Sequence, residues 1–249
     1  MHTHHEVHGA GPPIVLVHGW GLDSRRNWID TGWVEALAPL RQVVLLDVRG
    51  HGRSDKPMTP GAYRYRALSE DVLRVMDAVG IDEADLFGYS MGAFMGAALL
   101  GSHPERFTSM VLGGIGDETE ASVAAAVVIA AALRAEDPDR ISDPLGRAYR
   151  AFVDMDPTND REVLAFAALE MWPDGHPVEL GGATLRDADV PVLIANGSED
   201  HPYVDTADHL AGALPRATKI TLPGADHLTA IFSPELREAV LDFLAQPTA

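Results

Sequence analysis

Short apolar runs, most of them rich in β-branched residues, recur along this chain, with stretches of helical patterning between them. The runs lie at 14–17, 43–46, 86–87, 110–112, 192–194 and 219–222. Several are continuous rather than alternating, as strands covered on both faces should be. Between them, segments such as 68–79 and 236–244 carry apolar residues at helical spacing, the second behind Ser233 as a cap and Pro234 at its first turn. Strands that alternate with helices belong to crossover units, which pair in parallel. The expected fold is therefore α/β: a mostly parallel central sheet flanked by helices.

One stretch breaks that rhythm. Residues 117–186 show no strand pattern, only helical patterning punctuated by Pro138, Pro144, Pro157, Pro173 and Pro177. A connection of about 70 residues is longer than ordinary loops and is usually functional. It reads as a helical lid, residues 117–186, inserted into a core made of 1–116 and 187–249. A length of 249 residues suits one large domain with such an insert.

Composition excludes several classes of function. With 37 acidic and 19 basic residues the net charge is −18, a surface that repels phosphate backbones and anionic lipid. No nucleic-acid or membrane partner is expected. The absence of cysteine removes disulfides, thiolate metal sites and a cysteine nucleophile, and suits a cytoplasmic location. The longest apolar run, 123–133, is about half of the ~20 residues that span a bilayer. The start, MHTHHEVHGAGPP, lacks the basic and apolar regions of a secretory signal. Its His2, His4, His5 and His8 read as an incidental terminal cluster, so no metal or cofactor is expected.

Gly88-Tyr89-Ser90-Met91-Gly92 follows a strand and opens a helix, the context a nucleophile elbow needs. The sharp turn holds Ser90 in a strained conformation, and small residues two before and two after relieve the crowding. Serine is a weak nucleophile until a base takes its proton, and a histidine base needs an acid to fix its tautomer. His227 lies in the loop after the strand ending at Leu222, and Asp200 in the loop after the strand at 192–195. Loops at the carboxyl ends of parallel strands share one rim. The order Ser90, Asp200, His227 is the one expected for this kind of site. Glu199 and Asp226 compete for the acid role, with Asp117 a third candidate. His201 is expected at the rim, and His103, His176 and His209 are expected in solvated or packing positions.

An oxyanion needs backbone N–H donors. Met91 offers one at the helix start, and Trp20 offers the second from the Gly-rich loop His18-Gly19-Trp20-Gly21. In the lid, Phe152, Met155, Phe166, Met171 and Trp172 form an apolar face, mostly packing; Trp172 is expected to line a pocket.

HGWGLDSRRNW (18–28), DVRGHGRSDKP (47–57), GYSMG (88–92), NGSED (196–200) and GADH (224–227) occur in this order, and through them the chain resembles the α/β-hydrolase fold superfamily across almost its full length. The resemblance implies that 47–54 is a structured loop, that Pro104-Glu105-Arg106 ends the helix behind the elbow, and that the lid is the family's cap. It also implies an antiparallel strand pair before the strand that leads to HG. Here only 6–9 is available as the second of the pair, so the sheet is expected to be shorter by a strand or the chain start trimmed.

Serine at the elbow argues against the aspartate-dependent branches, haloalkane dehalogenases and epoxide hydrolases. The expected reaction is hydrolysis of a small or medium carboxylic ester through an acyl-enzyme. C–C bond hydrolysis, thioester or lactone hydrolysis and cofactor-free perhydrolysis use the same residues. A reading from another class is a small-molecule receptor that keeps the fold without turnover.

Overall fold

Each residue of a buried strand points to the face opposite its neighbour's, and the two halves of the core follow that alternation. A computed structural model describes residues 1–117, 119–171, 185 and 187–246. Seven strands form one sheet: β1 His5–His8, β2 Pro13–Val17, β3 Gln42–Leu46, β4 Ala84–Tyr89, β5 Phe107–Gly113, β6 Val192–Gly197 and β7 Ala217–Leu222. Their spatial order is β1-β3-β2-β4-β5-β6-β7. β1 is antiparallel to β3 and every other pair is parallel. The single strand before β2 agrees with the short start expected from the motif comparison.

Val15 and Val17 of β2 join Val44, Leu46, Leu86 and Leu112 on one face, beneath α2 (Tyr65–Ala78), α3 (Met91–Ser102) and α7 (Tyr203–Ala213). Ile14 and Leu16 join Val43, Leu45, Phe87 and Val111 on the other, beneath α1 (Trp33–Leu37) and α8 (Pro234–Leu244). Both faces are dry, which is why the central strands are apolar without alternation. Ser233 caps α8, its hydroxyl accepting Leu236 N–H at 3.2 Å, with Pro234 at the first helical position.

Between β5 and β6 the chain makes α4 (Thr119–Arg134), α5 (Pro144–Asp154) and α6 (Arg161–Glu170), and no strand among the described residues. Asp143 and Asp160 cap α5 and α6, accepting Gly146 N–H and Val163 N–H at 3.0 and 3.1 Å. Ile129, Leu133, Val153 and Leu164 make a small core shared by the three helices, against which Trp20 and Phe152 pack. These helices, within the stretch expected to be a lid, border Ser90 at the carboxyl ends of the strands. No helix of the described residues is long and apolar enough to cross a membrane.

The terminal histidine segment is tied to the edge of the sheet. Asp47 N–H donates to the His4 carbonyl at 2.9 Å, and the two oxygens of Glu6 hold His4 and His8 at 3.2 and 3.3 Å. Alternation along β1 puts residues 4, 6 and 8 on one side, a pairing invisible until the segment is known to be a strand.

Candidate active site

Parallel strands end at the same edge of a sheet, so the loops after β2, β4, β6 and β7 converge there. The turn after β4 is the tightest. Ser90 has φ 52° and ψ −117°, and among the described residues no other non-glycine residue has positive φ. Its N–H donates to the Gly113 carbonyl at 2.8 Å, and its own carbonyl accepts Ala93 and Phe94 N–H at 2.8 and 3.0 Å. The flanking glycines are required by space. A Cβ on Gly88 would stand 2.3 Å from the Gly92 carbonyl oxygen, and one on Gly92 would stand 2.0 Å from that of Val17. The chain thus crosses itself where no side chain fits, leaving Ser90 at the turn's apex.

His227 brings Nε2 to 2.9 Å from Ser90 Oγ and Nδ1 to 2.9 Å from Asp200 Oδ1. An ionised carboxylate only accepts, so Nδ1 carries the proton and Nε2 presents its lone pair to the serine hydroxyl. Asp200 is 1% exposed and His227 22%. The two loops are laced together: Ser198 N–H donates to the Leu222 carbonyl at 2.9 Å, Glu199 N–H to the Ala225 carbonyl at 2.9 Å and Gly224 N–H to Ser198 Oγ at 2.8 Å. Tyr89 adds a fourth tie, its phenol donating to the His227 carbonyl at 2.8 Å.

The competing acids are elsewhere. Glu199 is exposed. Asp226 folds back on its own turn, accepting N–H and O–H from Thr229 at 2.8 and 2.7 Å, bonds that hold its carboxyl below the usual range. Asp117 pairs with His209. His201 is exposed and bound to Asp205 at 2.7 Å, which raises its pKa. His103 sits at the surface beside Ser102. His176 and Trp172 lie outside the described residues.

The loop after β2 reaches Ser90 from the other side. A Cβ on Gly19 would stand 3.5 Å from Ser90 Cβ, and Trp20, the next residue, borders the same spaces as Ser90. Met91 is the first residue of α3, where amides have no intrahelical acceptor. Both expected oxyanion donors therefore adjoin Ser90. Asn27, to which the sequence reading gave no role, fixes this loop: its Oδ1 accepts Gly19 N–H at 2.8 Å, within the buried interior. Behind it, His18 Nε2 accepts Val48 N–H at 2.9 Å, so its Nδ1–H donates to the Gly19 carbonyl at 2.8 Å. Burial keeps His18 neutral by lowering its pKa, although Asp47 pulls the other way. Only the eight-residue return from Gly19 to Asn27 brings that pair together, and residue types alone carry no signal for it.

Among the described residues, two spaces border Ser90. A cavity of about 70 Å³ lies toward α3 and the lid, lined by Trp20, Met91, Phe94, Ala126 and Ile129 among others. A groove of about 380 Å³ lies on the other side, bordered by Phe152, Met155, His227, Leu228 and Phe232. Of the expected apolar lid face, Phe152 and Met155 thus line the groove and Met171 the small cavity. Phe166 packs instead on Tyr63, ring centres 5.9 Å apart. Tyr149 and Tyr203, which the sequence reading passed over, are also in the site; the Tyr203 ring lies 5.3 Å from that of His227. A further cavity of about 350 Å³, at the opposite ends of the strands, is bordered by the Arg41–Asp85 ion pair and is remote from Ser90.

A family model described as alpha/beta hydrolase fold matches residues 12–148. A protein of Azorhizobium caulinodans named as carbamate hydrolase RutD is 36% identical over 109 residues, 44% of this chain and 39% of that protein. The dihydrolipoyllysine-residue acetyltransferase component of the acetoin cleaving system of Pseudomonas putida is 31% identical over 256 residues, 94% of this chain and 64% of that protein. This chain spans less than two thirds of the length of either. Among solved structures, the enol-lactonase from Burkholderia xenovorans LB400 matches with a TM-score of 0.78 at 26% identity, over 98% of this chain and 96% of that one.

Proposed function

This chain belongs to the alpha/beta hydrolase fold family, and on that premise we propose that it is a serine hydrolase that cleaves a small or medium carboxylic ester through an acyl-enzyme. The observation that carries the reading is the pair of 2.9 Å contacts that His227 makes, to Ser90 on one side and Asp200 on the other. Ser90 Oγ attacks the ester carbonyl while His227 Nε2 takes its proton. Asp200 stabilises the imidazolium that forms. The oxyanion forms between the Trp20 and Met91 amides, an electrostatic contribution fixed in place before reaction. His227 then gives its proton to the leaving alkoxide, the C–O bond breaks, and water repeats the sequence on the acyl-enzyme, releasing the acid and restoring Ser90.

A lactone is a cyclic ester and opens by the same steps, so lactone hydrolysis is the second reading, favoured by the match to a solved enol-lactonase. The test is exposure to a fluorophosphonate followed by intact mass, together with turnover of an ester panel that includes lactones, thioesters and 1,3-diketones. One adduct, absent from Ser90→Ala, with ester turnover is the expected result. No adduct and no turnover would replace the enzyme by a binding protein; turnover of diketones alone would replace the ester by a C–C bond.

A further inference from the structure

We propose that the substrate is a neutral ester with its bulk on the alcohol side: a short acyl chain enters the small cavity beyond Ser90, and a larger apolar alcohol lies in the groove beside His227. The inference rests on the serine-hydrolase reading above and deepens it.

The direction follows from the proton. After attack, the proton that left Ser90 is on His227 Nε2, and the oxygen that departs must collect it there. The leaving alcohol therefore occupies space that His227 borders. Ser90 borders both spaces, whereas His227 borders the 380 Å³ groove and not the 70 Å³ cavity. The carbonyl's other substituent, the acyl chain, points into the cavity.

Size then sets the chemistry. An apolar cavity of about 150 Å³ is known to hold a benzene ring. The space beyond Ser90, about 70 Å³, is less than half of that and suits a short aliphatic chain; it shares Ala125, Tyr149 and Tyr203 with a hollow of about 410 Å³. The groove opens to solvent past Met155, Leu228 and Phe232, which are 69, 55 and 60% exposed. Large apolar side chains around a mouth favour an apolar guest.

Charge sets the neutrality. Among the described residues that line the groove, Arg26 is the one cation. It already lies 3.5 Å from Asp156 and donates to the Met155 carbonyl at 3.2 Å. Asp30 shares the lining and lies 3.5 Å from Arg25, which is outside it, and exposed Glu199 and Asp226 flank His227 in the adjoining hollow. A carboxylate on the substrate would meet these acids with no uncommitted cation in that lining to receive it.

Two isomeric alkyl esters isolate the direction, since they differ only in which side carries the ring: 2-phenylethyl acetate and methyl 3-phenylpropanoate. With the wild-type protein in a pH-stat, kcat/KM is expected to favour 2-phenylethyl acetate by at least about tenfold. It is also expected to fall by at least about tenfold from 2-phenylethyl butyrate to octanoate, and from 2-phenylethyl acetate to 2-(4-carboxyphenyl)ethyl acetate, whose anion lies on the alcohol side. Ile129→Ala should narrow the butyrate-to-octanoate ratio, and Ala126→Leu should depress butyrate against acetate; opposite shifts from two lid positions are not a folding effect. Fluorophosphonate labelling of Ser90 runs beside every assay. Labelling with equal or reversed preference for the isomers, or with the carboxylated acetate preferred, overturns the substrate assignment and leaves the serine hydrolase standing. No labelling and no turnover removes both.

Discussion

Asp200 meets His227 Nδ1 with one carboxylate oxygen at 2.9 Å, although 27 residues separate the two and Glu199 is adjacent to Asp200 in the chain. The loop after β6 turns Asp200 inward and leaves Glu199 exposed. Asp200→Asn is therefore expected to reduce kcat on the order of 10⁴-fold, because an amide can donate to the imidazole and leave the wrong nitrogen facing Ser90. Glu199→Gln and Asp117→Asn should stay within about threefold of wild type, as surface changes away from the reacting atoms. Steady-state ester kinetics on the three variants give the ranking.

Ser90→Ala and His227→Ala should each remove ester hydrolysis by about 10⁴-fold or more, with the circular dichroism of the folded protein retained. The two side chains act in one proton transfer, so the double variant should lose little beyond either single one. Additive losses would separate the residues mechanistically.

Gly92→Ala should be costly to the fold itself. The added Cβ would stand 2.0 Å from the Val17 carbonyl oxygen and 3.0 Å from that of His18, both backbone atoms that cannot rotate away. Forcing atoms into a packed interior costs about 1–3 kcal/mol and sometimes more. A lower midpoint in urea, against an unchanged or raised midpoint for Gly212→Ala, a helical position where nothing lies within 4 Å of an added Cβ, checks this.

His51 should make stability acid-sensitive. Burial, with the neighbouring His18, pushes its pKa down to about 3 from the ordinary 6.5. Between those values the unfolded chain binds a proton that the folded chain refuses. Stability is then complete above about pH 6.5 and falls as the pH drops toward 3, by about 1.4 kcal/mol per pH unit for one such group. His51→Asn should flatten that slope whatever it does to the stability at pH 7. Urea unfolding at several pH values between 4 and 7 measures it.

Asn27→Ala should damage catalysis without touching the triad. Without Oδ1, Gly19 N–H loses its 2.8 Å partner and the Trp20 amide its fixed aim. A misaimed oxyanion donor costs on the order of 10²-fold in kcat. KM should change less than kcat, since Asn27 borders the groove but is almost wholly buried, and fluorophosphonate labelling of Ser90 should slow in parallel with kcat.

Much of this architecture is local information. Continuous apolar runs identify strands buried on both faces because the hydrophobic effect acts on each residue's own surface, and every run read as a strand lies inside an observed strand. The elbow is equally legible. Gly88 and Gly92 stand where a Cβ would strike backbone, so the residue types report the crossing directly. Loops that follow parallel strands share an edge whatever their composition, which is why Ser90, Asp200 and His227 could be named as one site.

The choices within that site were not local. Asp200 rather than Glu199, Asp117 turned to His209, and Asn27 bonded to Gly19 each depend on torsion angles and contacts between segments distant in the chain. The same holds for the spaces beside Ser90: Ala126 and Ile129 border the small one only because α4 packs against α5 and α6 over the rim. Hydrophobic patterning tells a helix which face to bury and is silent on how deeply it sits over a neighbour. The sequence by itself therefore determined the sheet, the elbow and the candidate residues, while the tertiary structure decided which carboxylate meets His227, what anchors the Gly19 loop and the unequal spaces on either side of the serine.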